Sequence, residues 1–191
     1  MPKDYNLSVT PANQQRRPEH AQKDDWVRDF LGRAQIGHVA TRWDEQPFIT
    51  PTTFWYDPGQ HEIYFHSNIV GRVRANAERH TQVCFEASEF GQLLPANTAL
   101  EFSIQYQSAV VFGNVRLLED LAEKRRALSG LIAKYFPTMM AGQEYRPITE
   151  QELKRTSVYA IAIDSWSGKK NWPDRADQSD EWPPLDEKWF M

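Results

Sequence analysis

The chain has 191 residues, 40% apolar and 13% aromatic, with a formal net charge of −4. That length supports one domain with a sizeable core, and the aromatic content excludes a disordered chain. The negative charge, with no basic stripe, speaks against a nucleic-acid partner. Cys84 is the single cysteine, which excludes an intrachain disulfide and any cysteine-based metal spacing. No run reaches the roughly 20 apolar residues of a membrane span, and the N-terminus lacks an apolar core of signal-peptide length. The expected compartment is the cytoplasm, with no membrane partner.

Residues 1–22 are polar and proline-broken, and read as a flexible arm. Asp24 is placed to cap a helix carrying Trp26, Val27, Phe30 and Leu31. The period then changes to that of strands: QIGHVATRW (35–43), FITPTTFWY (48–56) and HEIYFHS (61–67), separated by the turns DEQP and DPGQ. Two short strand–turn–strand steps imply an antiparallel meander. A short helix is expected over 71–80, a strand over TQVCFEAS (81–88) and a connection over 89–98. Residues 102–118 are too long for a simple strand, and Gly113 marks a bend or bulge there. A helix follows over 119–136, ended by Phe136-Pro137; Thr149 to Glu152 fits a capping box, and SVYAIAID (157–164) is a last strand. Residues 173–191 form an acidic, tryptophan-rich tail, predicted to pack on the domain or cross to a partner. The expected fold is mainly β (α+β), a six-stranded antiparallel split barrel with peripheral helices, in one domain over 23–172.

FHSNIVGRVRAN (65–76) carries the clearest chemistry. Arg72 and Arg74 fall in the first turn of a helix, where cations oppose the macrodipole by roughly 0.3–1 kcal/mol each. Either they are solvated on a frayed helix, or an anion sits there. Free N–H groups at a helix start favour phosphate, and arginine adds paired donors. His66, Ser67 and Asn68 lie just upstream, and Gly71 lets the backbone come close. His66 alone reads equally as a hydrogen-bonded histidine. Pro51 removes a ladder donor in mid-strand, so that strand is an edge or is bulged, with Thr50, Thr52 and Thr53 beside it. Lys169 and Lys170 read as a basic turn. The five histidines show no metal-ligand spacing, so no metal is expected. Neither a nucleophile elbow nor a phosphate loop of the GxxxxGK type occurs, so any redox chemistry would belong to a cofactor.

Taken in order, IGHVAT, QPFITPTTFWYD, EIYFHSNIVGR, TQVCFE, YQSAVVFGNVRLLED and EKRRALSGLIAKY resemble the pyridoxamine 5′-phosphate oxidase-like, FMN-binding split-barrel superfamily. The nitroimidazole-resistance-protein-like branch is the nearest in look, and the resemblance spans about residues 25–165. It implies a homodimer with FMN in clefts between the subunits. His66, Ser67, Gly71 and Arg72 would hold the phosphate. His38, Val39, Ala40 and Thr41 would lie along the flavin, and Pro51, Thr52 and Thr53 would approach its ring with backbone groups. Tyr106, Gln107 and Ser108 would line the same cleft, with Lys169 or Lys170 reaching in from near the C-terminus. Two positions depart from the family pattern: Val73 stands where a lysine is common, and Gln107 where an arginine is common. The ending typical of true pyridoxamine phosphate oxidases is absent. The expected function is an FMN-dependent oxidoreductase acting on a small organic acceptor. The alternatives are a non-catalytic flavin- or haem-sequestering protein, and, below it, a pyridoxal phosphate or deazaflavin binder.

Overall fold

The structure is a computed structural model that describes residues 9–190; residues 1–8 of the expected arm lie outside the described residues. Among the described residues there are eight strands: β1 (Ala21–Gln22), β2 (Gly37–Trp43), β3 (Gln46–Thr52), β4 (Trp55–Asp57), β5 (Glu62–Asn68), β6 (Gln82–Leu94), β7 (Ser103–Leu117) and β8 (Thr156–Asn171). Four helices flank them: α1 (Asp24–Arg33), α2 (Arg72–Arg79), α3 (Leu121–Tyr135) and α4 (Glu150–Lys154). All strand pairings are antiparallel. The order is β3-β2-β6-β7-β8-β5-β4, an open path, with β1 added beside β8.

The count of eight corrects the expected six. FITPTTFWY is not one strand. It pairs with β2 through Thr52 and with β5 from Trp55, so it divides at Thr53-Phe54 between the two ends of the sheet. Phe54 turns fully into the core at that point and packs edge-on against Phe85. Residues 89–94, expected as connection, continue β6, and β8 runs on to Asn171. There its outer half pairs with β1, so Ala21 lies opposite Lys169. Lys169 and Lys170 are therefore strand residues rather than a turn.

Alternation sorts the strands. Val39, Phe65, Phe85, Val111 and Tyr159 point inward to one large core, which α1 closes with Val27, Phe30 and Leu31. A smaller cluster of Tyr64, Leu118, Ala127, Val158 and Ala160 seats α3 on the other face of β5 and β8. Arg126 from α3 reaches both Asp57 and the Tyr64 hydroxyl, and Arg116 is clasped by Glu62 and Glu123.

The helix ends follow local chemistry. Thr149 and Glu152 form the expected capping box, and Asp120 caps α3 by accepting from the Glu123 N–H at 2.8 Å. Asp24 is not the cap of α1. The helix begins there, after Lys23, and Asp24 instead accepts from the Trp166 indole at 2.8 Å. Pro51 sits in β3, an edge strand, where its missing N–H breaks no ladder. Gly113 marks a register shift in β7, as its position implied. A Cβ at Gly113 would stand 2.1 Å from the Ala162 carbonyl oxygen.

The C-terminal tail lies against the extended β6–β7 hairpin. Asn97 donates to the carbonyls of Ser179 and Trp182 at 2.7 and 2.9 Å and accepts from the Ser179 N–H at 2.8 Å. Ala176 completes a small apolar contact with Leu94 and Ala96. Trp182 and Trp189, expected to be covered, remain 65% and 59% exposed, because the tail is held by polar bonds rather than by its indoles.

Two measurements check this packing. Gly113→Ala places a methyl against backbone that cannot yield, and should lower unfolding stability by about 3 kcal/mol in a urea titration. Asn97→Ala should leave global stability nearly unchanged but speed tryptic cleavage after Arg175 about tenfold, the equivalent of a hydrogen bond or two.

Candidate functional site

Extending the β4–β5 register backwards would set Thr52 opposite Ser67 and Pro51 opposite Asn68. Those pairs do not form, because β3 is drawn to β2. Among the described residues, β5 from Phe65 to Asn68 pairs with β8 alone, and β3 pairs with β2 alone. Each stretch therefore keeps one side without a strand partner, and the gap between them is the candidate slot; buried backbone groups demand partners.

The end of β5 leads directly into α2. The Asn68 side chain accepts from the Val70 N–H at 3.2 Å, and Gly71 takes φ +140°, a conformation that L side chains rarely adopt. No side chain caps α2, and its first turn contains no acidic residue. Its leading N–H groups are thus open to an anion. The Arg72 guanidinium lies 5.2 Å from the ring centroids of both Trp43 and Phe48, so α2 reaches the start of β3. Arg74 is committed elsewhere: it pairs with Glu78 at 2.5 Å and donates to Ser157 Oγ at 3.2 Å. Ser157 lies opposite Ser67, whose hydroxyl is 3.1 Å from that of Tyr159. This end of the slot carries a free helix start, one aromatic-held cation and a row of hydroxyls.

The expected site residues fall into separate groups. Pro51, Thr52 and Thr53 lie at and just beyond the end of β3, and Ser67, Gly71 and Arg72 at the β5–α2 junction. His38 and Ala40 face outward from β2, and His38 Nδ1 is 3.0 Å from Glu86. Val39 is a fully buried core residue. Thr41 also points inward, where its hydroxyl accepts from buried Asn76 at 2.9 Å. His66 projects from the face of β5 opposite Ser67, toward α3, and burial lowers its imidazole pKa. Gln107 is buried and donates to Glu89 at 2.7 Å, and Glu89 also accepts from Arg33. Tyr106, Ser108 and Lys169 form an outward group, with the Lys169 ammonium 5.0 Å from the Tyr106 ring. Lys170 is exposed opposite Gln107. β7 stands three strands from β3, roughly 14 Å at ordinary strand spacing. One copy of the chain therefore does not wrap the Tyr106 group around the slot.

Sequence reasoning missed Trp43, Phe48, Ser157 and Tyr159. The aromatics flanking the DEQP turn were the available signal for the first two. The serine and tyrosine emerge only once β8 is aligned with β5. The crossing point is also pinned from outside: the Phe54 N–H donates to the Tyr135 hydroxyl at 3.0 Å, and Lys134 sits 3.5 Å over the Phe54 ring. Burial pushes the Lys134 ammonium down to about 8.

Known proteins share this sequence pattern and fold. The sequence model of the family described as pyridoxamine 5′-phosphate oxidase matches residues 23–170. No curated protein matches. The flavocytochrome Anf3 from Azotobacter vinelandii superposes with a TM-score of 0.74 at 26% identity, covering 93% of this chain and 77% of that one. The FAD and heme binding protein from Mycobacterium smegmatis gives 0.72 at 26%, covering 83% and 76%. A proposed 5-nitroimidazole antibiotic resistance protein from Bacteroides thetaiotaomicron shares the fold, with a TM-score of 0.65 at 21% identity over 78% and 84% of the two chains. With the family match spanning most of its length, the chain belongs to the pyridoxamine 5′-phosphate oxidase family.

Proposed function

We propose that this protein binds FMN in the slot between β3 and β5 and works as an oxidoreductase, passing electrons from a reduced donor to a small organic acceptor. The observation that carries the reading is the uncapped, acid-free start of α2 at the end of two unpaired strand edges, with Arg72 held beside it. The residues fit the group. The leading N–H groups of α2, the Arg72 guanidinium and the Ser67 hydroxyl would take the phosphate. Backbone groups of the Pro51, Thr52 and Thr53 segment, of which those of Pro51 and Thr53 face away from β2, would meet the polar edge of the ring. When bound, FMN supplies hydride and single-electron transfer; the protein orients it and holds its charge.

Three of the similar structures are named for FAD rather than FMN. FMN is favoured here because a terminal phosphate monoester, with two charges, gains most from open N–H groups and one arginine. The resemblance extends to a homodimer in the cytoplasm. A second copy would bring its Tyr106, Ser108 and Lys169 to the slot, which one copy leaves without them. A non-catalytic flavin- or haem-binding protein is the second reading, favoured by the names of the two relatives at 26% identity and by the commitment of Gln107 to Glu89.

Visible spectra after dialysis with excess FMN, FAD or haem separate these readings. Retained, shifted flavin bands that bleach with NADH or NADPH and recover in air are expected for the enzyme. Bands inert to donors, or a Soret band, fit the binder. Arg72→Ala should weaken FMN about 10- to 100-fold, the range of one charge-assisted hydrogen bond. Unchanged affinity in that variant would remove the phosphate assignment.

A further inference from the structure

The β6–β7 hairpin runs past the main core as an arm. Ala87 and Ala109 are the core residues of these strands nearest the turn. Pairing continues beyond them to Leu94 and Ser103, roughly 20 Å at ordinary strand rise. The two faces of the arm differ. The tail covers one: Gln105 is buried and donates to the Pro173 carbonyl at 2.8 Å, and Leu94 packs with Ala96 and Ala176. Trp172 lies so close to Gly91 that a Cβ there would stand 2.7 Å from its ring. The other face carries Phe90 opposite Tyr106 and Leu93 opposite Ile104. Among the described residues nothing covers it: Phe90 and Leu93 are 76% and 77% exposed, and Leu100 and Phe102, beside the turn, are 90% and 62% exposed.

Those four side chains present roughly 500 Å² of apolar surface, and a patch of that size on a projecting ribbon marks an interaction surface. A second exposed apolar set rims the slot: Ile49 on β3, with Ile69 and Val70 on the turn into α2. A two-fold pair of copies would use arm and rim twice each, which brings the contact to the about 1,200–2,000 Å² of a stable interface. The charges agree. Residues 173–191 behind the arm hold six carboxylates against Arg175 and Lys188. The α2 end of the slot holds Arg72, Arg74 and Arg79 against Glu78. Opposite signs at the two ends steer one copy onto another, whereas an anionic lipid surface would be repelled by the tail.

We propose that the arm is a docking surface for a second copy of this chain, and that it lies across the mouth of that copy's slot. Phe90, Leu93 and Phe102 of one copy pack on Ile49, Ile69 and Val70 of the other, and the contact is repeated about the two-fold axis. The landing place rests on the slot reading above: Tyr106, which that reading brings to the slot of a second copy, shares a strand face with Phe90 and Ile104, so the arm must travel with it. The tail keeps the arm rigid from behind, and the slot gains an apolar cover that one copy does not give it.

The test is sedimentation velocity of the full chain with no flavin added, beside the double variant Phe90→Ser/Leu93→Ser. The unmodified chain is expected to sediment as a dimer. The variant changes only exposed positions, so it should keep its circular dichroism while the dimer dissociation constant rises about 100-fold or more. A second measurement locates the contact. With Cys84→Ser in both, Phe102→Cys and Val70→Cys chains are co-expressed and oxidised, and a disulfide-linked pair of the two is expected. A monomeric unmodified chain, a variant that dimerises as tightly as the original, or co-expressed chains that do not link overturns the proposal. FMN binding is measured separately on the unmodified dimer: its failure there removes the slot reading, while the dimer and the cross-link still report on the arm.

Discussion

The structure turns on one crossing. At Thr53-Phe54 the chain passes from one end of the sheet to the other. Phe54 drives the step: its ring is fully buried against Phe85, and burial of a large aromatic side chain is worth roughly 2–3 kcal/mol. Its N–H is taken by Tyr135 rather than by a strand. Beyond the crossing, β3 must follow β2, and the last four residues of β5 lose the neighbour that register would have given them. An exposed edge normally invites aggregation. Pro51 blunts this one, and the proposed ligand would use the rest.

The misplaced arginines of α2 separate under the same geometry. Arg74 is neutralised by Glu78 one turn on and ties α2 to β8 through Ser157. Among the described residues Arg72 has no acidic partner, and it rests against Trp43 and Phe48. Such contacts return about 0.5–1 kcal/mol at exposed sites, comparable to the dipole penalty. The fold therefore tolerates Arg72 without needing it, which fits the anion-binding role proposed for it. Val73, where relatives of the resembled pattern carry a lysine, is instead a core residue. A lysine there would have to leave that core, so in the proposed site Arg72 would supply the side-chain cation.

Much of this was legible in the sequence where local chemistry decides. The capping box at Thr149, the break at Gly113 and the edge character forced by Pro51 all follow from single residue types. The division of FITPTTFWY was not legible, because an unbroken strand pattern does not say which partner each half takes. Length misled at the β6–β7 hairpin, where residues 89–94 pair beyond the main core and leave Phe90 and Leu93 exposed, so their apolar side chains do not follow the alternation of the strand before them. Within the site, Ser67, Gly71 and Arg72 were readable as a contiguous signal. His66 was assigned with them by adjacency, although strand alternation sends it to the opposite face. The hydroxyls of Ser157 and Tyr159 arrive from 90 residues downstream and needed the β5–β8 register.

The slot claim is tested most directly by backbone hydrogen–deuterium exchange, with and without FMN. Open edges predict fast exchange at the amides of Thr53 and of 72–74 in the free protein, and slowing confined to those amides and Ser67 when FMN is added. Amides at those positions that are already protected without ligand, or protection by FMN that falls elsewhere on the sheet, would contradict the account.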